Sequence, residues 1–201
     1  MFSCSNENEV SSQENIEKST PARPAPIIEN EIDEVFSEYF NSQEYFVAQE
    51  AIVLFNSKVS NSYAIKNSKS KVELFDWINN NISLTQFANI QEANDLWNNK
   101  ERLQNLKFER FSSFLQTIKV SDVELLLVAF DKWEPLFKQT LDEPCSDKAD
   151  DCRDAARATL IASVKGLSDD ADQDEKNAIE DKYVQDQMNC KKEYDACINR
   201  K

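Results

Sequence analysis

Cys145-Ser-Asp-Lys-Ala-Asp-Asp-Cys152 and Cys190-Lys-Lys-Glu-Tyr-Asp-Ala-Cys197 are placed as mirror images in the chain. Each pair encloses six residues, and the two pairs are symmetric about Ala171, inside Leu167-Ser-Asp-Asp-Ala-Asp-Gln-Asp174. This is the register of a helical hairpin stapled across its two arms. On one helix, residues seven apart lie about 10 Å apart along the axis. A disulfide tolerates Cα separations only up to about 7 Å, so Cys145 does not pair with Cys152 while that arm is helical. A parallel pairing of Cys145 with Cys190 needs a connection far longer than the turn around Ala171. Of the three connectivities that four cysteines allow, Cys145–Cys197 with Cys152–Cys190 is the expected one.

Disulfides of this kind persist where the surroundings oxidise thiols, which predicts an extracytoplasmic location. Zinc is a poor alternative. It favours cysteine pairs two to four residues apart on turns, commonly helped by histidine, and the chain has no histidine.

Working outward, the hairpin is expected to occupy 142–201. Its first arm opens near Pro144 and ends at Gly166, the only glycine, as a left-handed cap. Small residues (Ala149, Ala155, Ala156, Ala162) accompany the cysteines on that arm and let the helices approach. The return arm opens on Asp172-Gln-Asp-Glu175, a capping-box pattern, and presents Ile179, Tyr183 and Tyr194 to its partner.

Residues 29–141 read as a helical body. Ile32, Val35, Phe36, Tyr39, Phe40, Phe46, Val47, Leu54 and Phe55 recur at three- and four-residue steps and predict one long amphipathic helix. The Ser-, Asn- and Lys-rich stretch 56–70 predicts a loop. Val72, Phe75 and Ile78 mark a short helix, and Leu96, Leu103, Leu106, Phe111, Phe114, Leu115 and Ile118 a long one. After a break near Val120, Ser121-Asp-Val-Glu124 predicts a second capping box ahead of a central apolar helix ending near Pro135. Trp77, Trp97, Trp133 and the twelve phenylalanines, at helical spacing, are read as core. With one glycine in 201 residues, glycine-dependent β-hairpin turns are disfavoured. The expected fold class is all-α: a helical bundle behind a disordered N-terminal tether, closing on the stapled hairpin.

The tether is 1–28, Ser/Asn/Glu-rich and then Pro-Ala-Arg-Pro-Ala-Pro at 21–26. Cys4 is the odd cysteine of the five. Phe2-Ser3-Cys4, followed by polar Ser5–Glu9, resembles the end of the lipobox of bacterial lipoproteins. The resemblance covers about six residues. It implies acylation of Cys4 and attachment to an envelope membrane by lipid alone. The family pattern also implies an apolar leader ahead of the box, and only Met1–Ser3 precede Cys4 in this sequence.

The net charge of −14 is uneven: residues 1–34 and 142–201 each carry −6, and 35–141 carries −2. This disfavours nucleic acid, whose phosphates call for clustered Lys and Arg. No run approaches the roughly 20 apolar residues that span a bilayer. Without histidine, Ser/His/Asp and Cys/His nucleophilic sites are excluded. Without glycine loops, phosphate cradles are excluded as well. No cofactor and no resident metal is expected. The single metal candidate is a calcium-type run, Asp170, Asp172, Asp174 and Asp181, in which Glu175 stands where the bend calls for glycine. The expectation is a non-catalytic, lipid-anchored module of the cell envelope or surface that binds a protein or other envelope component. The alternative is a secreted soluble carrier for a small apolar ligand, held among the aromatic helices.

Overall fold

The computed structural model describes residues 29–68, 70–135 and 143–199, so the tether and Cys4 lie outside the described residues. Among those described there are nine α-helices and no strand: α1 (Glu29–Phe40), α2 (Gln43–Val59), α3 (Ser62–Asn67), α4 (Lys71–Asn80), α5 (Ile90–Arg110), α6 (Ser112–Val120), α7 (Val123–Trp133), α8 (Glu143–Gly166) and α9 (Gln173–Ile198). A 3₁₀ turn at Ile82–Leu84 joins α4 to α5.

The hairpin is α8 and α9, and both staples are formed. Cys145–Cys197 spans 5.8 Å between Cα atoms and Cys152–Cys190 spans 5.6 Å. Asp172 caps α9 as the sequence predicts. Its carboxylate accepts from the Glu175 amide at 2.9 Å, and Glu175 Oε2 accepts from the Asp172 amide at 3.2 Å. Gly166 does not serve as a left-handed cap; no described glycine has positive φ, and the residue that does is Ser60, at 57°, closing α2. Ala149 and Ala156 face inward, whereas Ala155 and Ala162 are exposed.

Four local readings change. The long helix expected through Phe55 is broken at residues 41–42, where Ser42 Oγ accepts from the Tyr45 amide at 3.1 Å and starts α2. The stretch 56–70 is not a loop: α2 runs to Val59, and Asn61 caps α3 by accepting from the Ala64 amide at 3.0 Å. The long helix expected through Ile118 is interrupted at Phe111. Ser121 does not open a capping box. Asp122 caps α7 by accepting from the Glu124 amide at 2.8 Å, and Ser121 is buried, with its carbonyl accepting from Lys165 at 2.6 Å. An acidic side chain one residue nearer the helix takes the Glu124 amide that the Ser121 hydroxyl would have used.

The helices enclose two cores and a small third cluster. In the first, Ile32, Phe36, Tyr39 and Phe40 of α1 meet Phe114 and Ile118 of α6, Leu126 and Phe130 of α7, Ile161 and Val164 of α8 and Tyr183 of α9. Tyr39 stacks on Phe114 at 3.7 Å, and Phe36 meets Phe130 edge-on at 5.0 Å. The hairpin's inner length therefore completes the bundle. The second core joins Phe55, Ile65, Leu74, Ile78, Phe87 and Trp97 across α2–α5. The third is the hairpin tip: Cys145, Ala149 and Tyr194, with Cys197 and Ile198 against them.

Candidate functional site

Helix α5 turns a polar face inward. Lys100, Gln104 and Lys107, spaced four and three residues apart, are all completely buried. Opposite them on α9 lie Asn177, Glu180 and Asp181. Lys100 pairs with Asp181, and Lys107 with Glu180. Gln104 Nε2 bridges the two carboxylates at 3.1 Å each. The Lys100 ammonium also lies 3.5 Å from the centre of the Trp97 ring, and that of Lys107 lies 4.4 Å from Phe108. The apolar spacing Leu96, Leu103, Leu106 locates this helix but not its buried face, since Leu106 is 46% exposed.

A second buried charge cluster ties α7 to the hairpin. Arg157 donates through Nε to Glu134 at 3.0 Å and through Nη1 to Asp154 at 2.9 Å, and it pairs with Asp131. The Tyr183 hydroxyl donates to the other Glu134 oxygen. Burial raises Glu134 above the usual carboxylate range, against the lowering pull of Tyr183 and Arg157. Burial likewise raises Asp181, against Lys100, and lowers Lys107, against Glu180.

These shifts set a pH dependence. A carboxyl with a raised folded pKa holds its proton in the folded state at pH values where the unfolded chain has lost it. Glu134 and Asp181 therefore add stability as the pH falls from neutrality toward about 5, and withdraw it as the pH rises. Easing of the −14 charge acts in the same direction. Asp33, held low by hydrogen bonds from Lys132 and Trp133, has the opposite sign, but its side chain is partly exposed and its effect falls below the usual carboxylate range. The urea midpoint is expected to be higher at about pH 5 than at pH 7. A lower midpoint at pH 5 contradicts this account.

Three surface features adjoin these networks. A cleft of about 280 Å³ opens between α3, α4, α5 and the start of α9, with Trp97, Gln104 and Asp181 at its wall. A shallow groove of about 300 Å³ runs between α2 and α9, lined by Tyr45, Phe46, Val53, Pro135, Val184 and Met188. A polar hollow of about 180 Å³ lies by Lys119 and Asp169 at the hairpin turn. A pocket against the aromatic core, lined by Tyr39, Phe40, Phe114 and Tyr183, offers about 30 Å³, room for about two waters.

No protein-family model, no curated protein and no solved structure matches the chain. The site is therefore read from its own geometry.

The calcium candidates are not brought together. Asp172 is engaged in the cap of α9, Asp170 is exposed and hydrogen-bonded to Ser168, and Asp181 is buried against Lys100. Because the helix begins at Gln173, Asp181 stands roughly 13 Å along its axis from Asp172. A calcium loop would have to hold these residues around one point, and no group of three or more metal-ligating side chains occurs among the described residues. The disulfide cysteines serve the fold, which places the protein in an oxidising, extracytoplasmic environment. No described helix is long and apolar enough to cross a membrane. Sequence reasoning missed Lys100, Gln104 and Lys107 on α5, Glu134 at the end of α7 and Arg157 on α8. The spacing along α5 carries a signal, but it is the same one a solvated charged face would give.

Proposed function

We propose that the protein is a non-catalytic binding module of the extracytoplasmic space, carried on a lipid at Cys4, whose α2–α9 groove receives an apolar segment of another macromolecule. The observation that supports this is the groove itself. Phe46 and Val53 are 43% and 41% exposed beside Val184 and Met188, while the aromatic interior is filled. A space of about 30 Å³ against the aromatic core is far below the roughly 300–1,000 Å³ of ligand pockets, which weighs against the carrier reading. Large aromatic and aliphatic side chains left in a concave surface are the usual core of a protein interface. A net charge of −14 favours a partner whose apolar segment is flanked by basic residues.

A photo-crosslinking residue at Phe46, in cells expressing the gene from its own upstream region, is expected to trap one discrete partner. Adding Val53→Glu should remove that adduct without changing the melting temperature. A crosslinker at exposed Val128 on α7 should trap nothing comparable. With a clickable fatty acid, wild type but not Cys4→Ser should label. Absence of any discrete groove adduct sinks the binding reading. Absence of label on wild type sinks the anchor alone.

A further inference from the structure

Helix α1 runs antiparallel to α7. Asp33 accepts from Trp133 Nε1 at 3.0 Å and pairs with Lys132, and Phe36 meets Phe130. The start of α1 therefore lies at the end of α7, where the next residues, Glu134 and Pro135, line the α2–α9 groove. From Asp33 back to Glu29 is about 6 Å of helix. The chain that precedes Glu29 thus joins the body beside the groove.

Its sequence suits what the groove offers. Residues 18–28 read Lys-Ser-Thr-Pro-Ala-Arg-Pro-Ala-Pro-Ile-Ile, with two bases and no acid in a protein of net charge −14. The last five, Pro24 to Ile28, are the longest run before Glu29 without a polar side chain. Five extended residues reach about 17 Å, whereas Phe46 and Val53 stand about 10 Å apart along α2. That run is long enough to cover both exposed side chains and the half-buried Met188 of α9. Glu50, exposed on α2 one turn from Phe46 and from Val53, offers a counter-charge to Arg23. Lys191, the one cation lining the groove, is already paired with Asp195. Prolines at 21, 24 and 26 favour extended backbone in themselves and their neighbours, which lowers the entropy lost on docking.

We infer that residues 24–28 of the same chain cover the α2–α9 groove, with Ile27 and Ile28 on its apolar wall, and that an outside partner enters by displacing them. The gating rests on the proposed binding function; the covering does not. Attachment at Glu29 gives the segment an effective concentration in the millimolar range, so a dissociation constant below about 1 mM keeps the groove mostly covered.

The test places a photo-crosslinking residue at Phe46 of the purified 201-residue chain. It is expected to bond to residues 18–28 of its own chain, read by mass spectrometry of the digest. Ile27→Asp with Ile28→Asp, its fold verified by circular dichroism, should lose most of that bond. Met188 gives a second readout, because Met1 is the only other methionine and a methyl-labelled NMR spectrum holds two signals. The double variant should shift the Met188 signal, and an added peptide of residues 18–28 should return it toward the wild-type position, half-saturating below about 1 mM. In cells, the double variant should raise the partner adduct at Phe46 severalfold; an unchanged yield overturns the gating. A Met188 signal that the double variant leaves unmoved overturns the covering. So does a Phe46 adduct joining two chains, which makes the groove a self-association face instead. A bond to 18–28 without any partner adduct in cells sinks the proposed function and leaves the covering in place. A partner adduct without a bond to 18–28 does the reverse.

Discussion

Replacing all four hairpin cysteines with serine is expected to remove roughly 7 kcal/mol of stability, enough to unfold much of the population at physiological temperature. With one staple in place, the other closes a ring of two seven-residue arms, worth about 3 kcal/mol by loop entropy. The first closure, spanning 38 or 52 residues, is worth about 4 kcal/mol. A domain's total is about 5–15 kcal/mol, so the pair decides whether the fold persists. Cys145→Ser with Cys197→Ser, or Cys152→Ser with Cys190→Ser, should each lower the melting temperature by about 6–12 °C.

The two pairs differ in where the loss is felt. Beyond the inner staple, the described residues of the tip have only Cys145, Ala149 and Tyr194 as buried apolar support. Removing the outer staple should therefore raise amide exchange at 143–151 and 191–199 while the bundle core stays protected. Thermal melts and hydrogen exchange on the three variants check this. A quadruple variant that melts within a few degrees of wild type refutes the structural role assigned to the staples.

Arg157→Met is expected to cost about 3–5 kcal/mol, or roughly 6–20 °C in melting temperature. Arg157 is 1% exposed and Glu134 7% exposed, and the guanidinium is the cation that faces the Glu134 carboxylate directly. Methionine keeps much of the volume but removes the carboxylate's direct counter-ion, leaving it the Tyr183 hydroxyl and the weaker pull of Arg153. The cost lies in stranding that charge, because an intact buried pair gains little over apolar residues of the same shape. Adding Glu134→Gln, which keeps an acceptor for Tyr183 and removes the charge, should restore much of the loss. A double-mutant cycle in urea measures the coupling. Single variants whose losses simply add would show that the two side chains do not act as a pair.

Legibility from sequence was uneven, and the unevenness has a physical cause. Asp172 and Glu175 cap α9 through atoms three residues apart, so that feature is complete within four residues of chain. The division of 29–59 into two helices is set just as locally, by Ser42, but the apolar spacing on both sides of it continues in phase and hides the break. Residues 56–70 look like a loop because their side chains are polar. They form helix because Ala64 and Ile65 are drawn into the core with Phe55, Ile78 and Trp97. The groove and the cleft each draw residues from several helices, and no single stretch of chain contains either.

What the sequence by itself determined is the all-α class, the hairpin and its two staples. Cysteine geometry admits one pairing across antiparallel helices, and helix periodicity needs no knowledge of neighbours. What only the tertiary structure decided is which polar residues are buried. Lys100, Gln104 and Lys107 on α5, and Arg157 on α8, read as solvated faces. They turn inward because α9 presents Glu180 and Asp181, and the end of α7 presents Glu134, at matching positions. Burying a charge is favourable only when its complement arrives from another part of the chain, and that meeting is a property of the assembled fold.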